Sequence, residues 1–252
     1  MTNIDDFFSS RNSINHTEQE YLDNQPTYLE AFKAMARTTY NSIYVIDYQN
    51  KKFEYVSDNP LFLCGHSANE VQEMGYAFYF KYVVESDLDL LLRINNIGFE
   101  YYESIPIEQR KEYIISYDFH IRNQNDQVIL INQKLTPIML DKNGRMWKAL
   151  CIVSLSSERS SGNIRIFKNG ENVFAEYNEE GNFWMKSAKV ILTDREKDIL
   201  HYSVRGLTIN GIAEKLFLSP DTIKFHRRKL FDKLDVSNIS EAISYVVSNK
   251  LI

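Results

Sequence analysis

The period of apolar positions changes several times along the 252 residues, and each change marks an element. Residues 1–25 are polar, with Asp5 and Asp6 clustered, and read as a flexible N-terminal tail. From Pro26 the chain turns amphipathic. Tyr28, Leu29, Phe32, Met35 and Ala36 share one stripe, predicting a helix over 26–41. From Ser42 the period becomes alternating, with strands at Ser42 to Asp47 and Phe53 to Ser57 joined by the polar turn YQNKK. Short helical turns follow over DNPLFLCGHSANEV, then a longer helix after Ser86 carrying Leu88, Leu90, Leu91, Leu92 and Ile94. Three long strands come next, Tyr113 to Arg122, Val128 to Leu140 and Met146 to Leu155, separated by the turn sequences NQND and DKNG.

After SSERSSG, three short strands are predicted at Ile164 to Phe167, Val173 to Tyr177 and Phe183 to Met185. Asn169 and Gly170 favour a tight hairpin, and Trp184 is the natural anchor. This reads as a β-meander connector over 157–189. A passive spacer is the plainer reading, since mobility between domains is the default.

The last stretch spells out helix starts in capping chemistry. Thr193 precedes Glu196 by three residues, so hydroxyl and carboxylate can satisfy backbone N–H groups reciprocally. Gly206 suits the end of that helix. Thr208 caps a short second helix with Ile212, Ala213 and Leu216 on one face, and Ser219 with Pro220 opens a third that runs to about Leu234. A fourth is expected from Ser240, as cap, to about Asn249.

The third helix has two unlike faces. Ile223, Leu230 and Leu234, with Phe231 beside them, form the inward stripe, whereas Lys224, Arg228 and Asp221 fall opposite, and four of the six residues from Lys224 to Lys229 are cationic. A charge run alone also suits a solvated surface helix. On the second helix of a helix-turn-helix, such a face supplies what entry into the DNA major groove requires.

This segment resembles the C-terminal DNA-binding domain of LuxR/GerE-type transcription regulators. The residues that carry the resemblance include Leu192, Thr193, Arg195, Glu196, Leu200, Gly206, Ile212, Ala213, Leu216, Ser219, Thr222, Ile223, His226, Lys233, Leu234, Val236, Glu241 and Ala242. It implies an all-α four-helix bundle over 190–252 that binds double-stranded DNA, usually as a homodimer through the last helix, here with Ala242, Ile243, Val246 and Val247 apolar. By position, Lys224, Phe225 and Arg228 correspond to base-reading residues and Thr222 to a backbone contact, with Arg227 and Lys229 placed to hold phosphates. Three positions depart from the pattern: Phe225 replaces a smaller residue, Gly211 an acidic one, and Asp235 the glycine that usually follows Lys233 and Leu234.

Residues 42–156 resemble a PAS domain. Asn59, Pro60 and Phe62, then Gly65, Ser67 and Glu70, follow that family's N-P-x-F and G-x-S-x-x-E patterns, with a shorter gap between them, and the terminal strand triplet agrees. The resemblance implies a five-stranded antiparallel sheet cupping a core beneath helices, which senses a signal or mediates dimerisation. Cys64 lies outside the segment where a flavin-reactive cysteine would stand and reads as core packing. The helix after Ser86 holds no histidine for haem; His120 shares the face of Asp118 and Arg122 and reads as exposed, and His66 as a local hydrogen-bonding residue. Tyr76, Phe78, Tyr79, Phe80 and Tyr82 suit either an apolar pocket or a filled core. No cofactor is assigned; a small-molecule ligand of unknown identity is compatible with the domain.

Composition adds an asymmetry. The chain carries net −5, but residues 190–252 hold 10 basic against 8 acidic residues, leaving 19 against 26 upstream, so any nucleic-acid contact belongs to the C-terminal part. Cys64 and Cys151 make no metal spacing, and no leader or membrane-length run is present, which reads as reduced thiols in a cytoplasmic protein without a membrane partner. No phosphate loop, nucleophile elbow, H-E-x-x-H or paired C-x-x-C occurs, so the chain is read as no enzyme. The expectation is an α+β regulator that binds DNA as a dimer, with RNA polymerase as a further candidate partner. The rival is a bundle that engages a protein or only dimerises, which Asp221 and Asp232 near the basic face favour.

Overall fold

The structure is a computed structural model and describes residues 28–252. The tail expected over 1–25, and Pro26, lie outside the described residues. The chain divides into two units, 1–40 and 41–252. The first contains α1 (Tyr28–Thr38), where Tyr28 and Phe32 meet edge to face at 5.7 Å, one helical turn apart.

The second unit is built on one antiparallel sheet. Its strands are β1 (Ser42–Asp47), β2 (Lys52–Val56), β3 (Tyr113–Arg122), β4 (Val128–Leu140), β5 (Met146–Leu155), β6 (Gly162–Lys168), β7 (Val173–Asn178) and β8 (Phe183–Ala188). Their order across the sheet is β2-β1-β5-β4-β3-β6-β7-β8. The first five form the sheet that the PAS resemblance implied. The expected meander is present as β6-β7-β8, but it continues the same sheet, which therefore has eight strands rather than the five expected, because β6 pairs antiparallel with β3 from Tyr113↔Lys168 to Ser116↔Arg165. Without β6, one edge of β3 would leave a row of backbone groups unpaired. Apolar alternation on β6 makes the addition favourable, since Ile164 and Ile166 are buried with the rest of the core. Trp184 does anchor the far end, 4.9 Å from the ring of Tyr101 and 5.1 Å from that of Tyr177.

Between β2 and β3 lie α2 (Pro60–Leu63), α3 (Ala68–Met74), α4 (Ala77–Tyr82) and α5 (Glu85–Ser104), followed by a 3-10 turn at Ile107–Glu112. The short gap in the PAS pattern is a tight reversal: Cys64 and Gly65 both adopt positive φ, 53° and 96°, after a single helical turn. Ser67 and Glu70 then close a capping box on α3. The helices cover the inner face of the sheet, where Tyr44 stacks on Phe62 at 4.5 Å and Phe62 meets Phe78 at 4.6 Å. Cys64 and Cys151 are buried free thiols in this core. Burial pushes both thiols up to about 12, so they remain protonated.

The outer face is less exposed than alternation on β3 suggests. His120 is not a free surface histidine, because its Nδ1 and its backbone N–H both meet Asp87 Oδ2, at 2.8 and 2.7 Å. Asp87 therefore fastens the start of α5 to β3, and its other oxygen accepts from Ser161 just before β6, at 3.1 Å. Asp118 is also buried, hydrogen-bonded by Asn132 at 3.0 Å.

The remaining helices are α6 (Asp194–Val204), α7 (Ile209–Leu216), α8 (Pro220–Leu234) and α9 (Ile239–Ser248). The expected cap of the last helix is corrected from Ser240 to Asn238. Asn238 is extended and accepts from the Glu241 N–H at 3.0 Å, while the Glu241 carboxylate reaches back to the Ser237 N–H at 2.8 Å; this pairing needs the three-residue spacing that Ser240 lacks.

Candidate nucleic-acid interface and ligand cavity

Capping residues set the angles of the bundle. Thr193 accepts from the Glu196 N–H, Thr208 from that of Gly211, and Ser219 from that of Thr222, so α6, α7 and α8 each begin where the sequence predicts. Between α7 and α8 the chain reverses through Phe217 at φ 55°. Ile199, Ile212, Ala213 and Ile223 pack together and hold α6, α7 and α8 at fixed rotation about their axes. A second cluster of Leu192, Leu200, Leu230, Leu234, Ala242 and Val246 closes the bundle.

With Ile223, Leu230 and Leu234 locked inward, α8 turns its other face to solvent. Lys224, Phe225, Arg228 and Lys229 are exposed, and Thr222 and Arg227 are half-buried. Two contacts on this face escaped the sequence reading. Lys224 Nζ lies 3.0 Å from Asp221 Oδ1, and Lys229 Nζ stands 4.6 Å above the centre of the Phe225 ring, so the aromatic side chain carries a cation on its face. The Arg227 guanidinium lies 5.5 Å from the Phe231 ring, and partial burial lowers its pKa. The side chains proposed for base edges thus share one surface with those proposed for phosphates.

The four residues proposed for dimerisation divide by burial. Ala242 and Val246 are fully enclosed in the core of their own bundle, Ile243 packs beside them, and Val247 remains 61% exposed. Of these, Val247 presents the most apolar surface to a second molecule.

The sheet domain holds a cavity of about 550 Å³ between α5 and the inner faces of β3 and β4. Of the aromatic run singled out in the sequence, Tyr76, Tyr79 and Phe80 line it, whereas Phe78 and Tyr82 are core. Sequence reasoning missed its polar groups. Tyr44 Oη lies 2.5 Å from Tyr79 Oη and 2.7 Å from Gln133 Oε1, and Gln133 Nε2 donates to Tyr117 Oη at 2.6 Å. Desolvation raises the pKa of Tyr44, Tyr79 and Tyr117 well above the ordinary phenol value, which keeps all three neutral. A signal for Gln133 did exist, since it occupies an inward position of the alternation Ile131, Gln133, Leu135.

Among the described residues no helix is long and apolar enough to cross a membrane, and no group of three or more His, Cys, Asp or Glu is placed to hold a metal ion.

Comparison with known proteins agrees with the C-terminal geometry. The chain is 40% identical over 70 residues to the CsgBAC operon transcriptional regulatory protein of Escherichia coli K12, covering 27% of this chain and 32% of that protein. It is 39% identical over 66 residues to the Fimbriae Z protein of the same organism, covering 26% and 31%. The chain therefore spans about a third of the length of the curated relatives it matches. Among solved structures, the phage VqmA–DPO complex is similar at 16% identity with a TM-score of 0.32, covering 92% of this chain and 91% of that one. A PAS domain from Colwellia psychrerythraea is similar at 16% identity with a TM-score of 0.36, covering 53% and 100%. Residues 190–246 match the family described as bacterial regulatory proteins, luxR family, so the bundle at the end of the chain is a luxR-type helix-turn-helix domain.

Proposed function

We propose that the chain is a cytoplasmic, sequence-specific transcription regulator and not an enzyme. Its PAS-like domain senses a small molecule or mediates dimerisation, and its α8 reads the major groove of a two-fold-related DNA site. The observation that carries this reading is the division of α8: Ile223, Leu230 and Leu234 are locked in the bundle while Lys224, Phe225 and Arg228 face solvent together. Lys224 and Arg228 donate to base edges, Phe225 meets a thymine methyl, and Thr222, Arg227 and Lys229 hold phosphates. The match of residues 190–246 to the luxR family supports it. The two-fold site follows from a homodimer formed through α9, with Val247 at its centre, and RNA polymerase is the further partner such a regulator would meet.

The test is selection of bound fragments from genomic DNA by the full chain, beside the double variant Lys224→Ala with Arg228→Ala. Enrichment of a symmetric motif by the parent chain, lost in the variant, is the expected result. Binding that is indifferent to salt would oppose it, because neutralising several phosphates makes affinity fall steeply with ionic strength. The ion pair of Asp221 with Lys224 favours one second reading, a bundle that engages a protein, and that reading predicts no enriched motif at any salt concentration.

A further inference from the structure

The cavity in the sheet domain has a hydrogen-bonding chain along its floor, and its hydrogens can be counted. Gln133 Oε1 has no hydrogen to give, so the single hydroxyl hydrogen of Tyr44 goes to it. The 2.5 Å contact between Tyr44 and Tyr79 must then be donated by Tyr79. At the other end, Gln133 Nε2 donates to Tyr117 Oη. Within this chain of groups two capacities are left over, beside the Tyr102 hydroxyl, which lines the same cavity and is likewise buried without a partner among the described residues. The Tyr117 hydroxyl hydrogen has no acceptor, and the Tyr79 oxygen has lone pairs with no donor.

Both ends of the chain, and Gln133 between them, line the cavity. Gln133 is 1% exposed and Tyr117 8%, so the unused donor sits where water reaches it poorly. Apart from the Asn95 amide and Lys51, the rest of the wall is aliphatic or aromatic. Among the described residues, Lys51 is the charged one in the lining, is exposed and belongs to the rim, and no carboxylate, histidine or cysteine faces the space. An ionised ligand would give up its hydration without an opposite charge inside to replace it.

Resting on the reading of this domain as the sensor, we infer that the cavity takes an uncharged, ring-bearing small molecule with one group that both accepts and donates a hydrogen bond. That group accepts from Tyr117 and donates to Tyr79, closing the chain through Tyr44 and Gln133 into a ring. Flat rings of the ligand lie against Tyr48, Tyr76 and Phe99, which line the same cavity. A volume of about 550 Å³ is within the ordinary range for a site that encloses one small molecule.

Three probes of one skeleton test this on the full chain by isothermal titration at neutral pH: naphthalene, 1-naphthol and 1-naphthoate. Two buried hydrogen bonds should make 1-naphthol bind about tenfold tighter than naphthalene, with 1-naphthoate weakest. Tyr79→Phe and Tyr117→Phe should each narrow the gap between naphthol and naphthalene while leaving naphthalene affinity within about twofold, since they remove hydroxyls and keep the rings. Circular dichroism reports whether each variant folds; should Tyr117→Phe fail to, Tyr79→Phe carries the comparison alone.

Equal affinity for naphthol and naphthalene, tightest binding by naphthoate, or no binding of any probe would each overturn the inference. Genomic fragment selection run with and without 1-naphthol separates it from the regulator reading. Probe binding in the expected order with no DNA selected under either condition supports the ligand class and counts against the regulator. DNA selection with no probe bound does the reverse.

Discussion

Lys233 Nζ lies 2.7 Å from Glu196 Oε2, so a residue near the end of α8 is bonded to the carboxylate that caps α6. The same oxygen accepts from the Thr193 N–H at 2.8 Å, and Glu196 is 7% exposed. One carboxylate therefore ties the start of the first bundle helix to the end of α8. Glu196→Ala should destabilise the bundle by about 1–3 kcal/mol, because it removes half a capping box and leaves the Lys233 ammonium without its partner. Urea unfolding followed by circular dichroism measures this. The hydrogen bonds from Lys233 and Thr193 outweigh desolvation and hold the Glu196 pKa below its usual value of 4.5. Its contribution is thus complete above that value and is lost as pH falls through the depressed one.

On the face proposed to read DNA, the contact of Lys224 with Asp221 places a negative charge among the cations. Asp221→Asn should raise affinity for DNA at low salt, and the gain should vanish at high salt, where screening removes the repulsion. Arg228→Ala should cost about 1–3 kcal/mol and relax sequence choice at one position. Quantitative binding to a selected site and its single-base variants distinguishes this from a phosphate contact, which would weaken all sequences alike.

Asp235, which stands where the family usually has glycine, ends α8 with φ 53° and ψ 48°. An L side chain is disfavoured there, although aspartate tolerates it better than most residues. Asp235→Gly should therefore stabilise the bundle by about 0.5–1 kcal/mol, read as a rise in the urea midpoint. Persistence of the midpoint would mean that the freedom glycine adds to the unfolded chain offsets the relief of strain.

Asp118 gives the sheet domain a pH dependence. Desolvation raises its pKa from 3.8 to about 6, against hydrogen bonds from Ser156, Asn132 and Asn163 that favour the charged form. Between those values the folded chain binds the proton and the unfolded chain does not, so this contribution to stability falls as pH rises from about 4 to 6. The loss amounts to at most about 3 kcal/mol. Asp118→Asn should flatten that part of a plot of melting temperature against pH. An unchanged slope would assign it to another group.

The C-terminal domain was legible because its helix starts are written in local chemistry: Thr193 with Glu196, Thr208, and Ser219 with Pro220 act within three residues of themselves. The strands β3, β4 and β5 were legible for the same reason, through alternation and turn residues. What the sequence hid depends on partners far along the chain. Pairing of β3 with β6 joins Tyr113 to Lys168, and alternation alone assigns a strand no neighbour. Burial of Asp118 and the bond of His120 to Asp87 depend on what covers the outer face. The Tyr44–Gln133 bond spans 89 residues, which no local pattern encodes.

The continuous sheet also sets a length. Because β8 ends at Ala188 and α6 begins at Asp194, only residues 189–193 connect the two. Five residues reach at most about 18 Å when fully extended. In the proposed dimer, each α8 would thus be on a short leash from the edge of its own sheet, and the distance between the two halves of the proposed DNA site would become a property of how the sheet domains stand rather than of α8 itself. If the proposed reading holds, lengthening this tether by a few residues should relax the spacing demanded of the DNA while leaving untouched the bases recognised in each half.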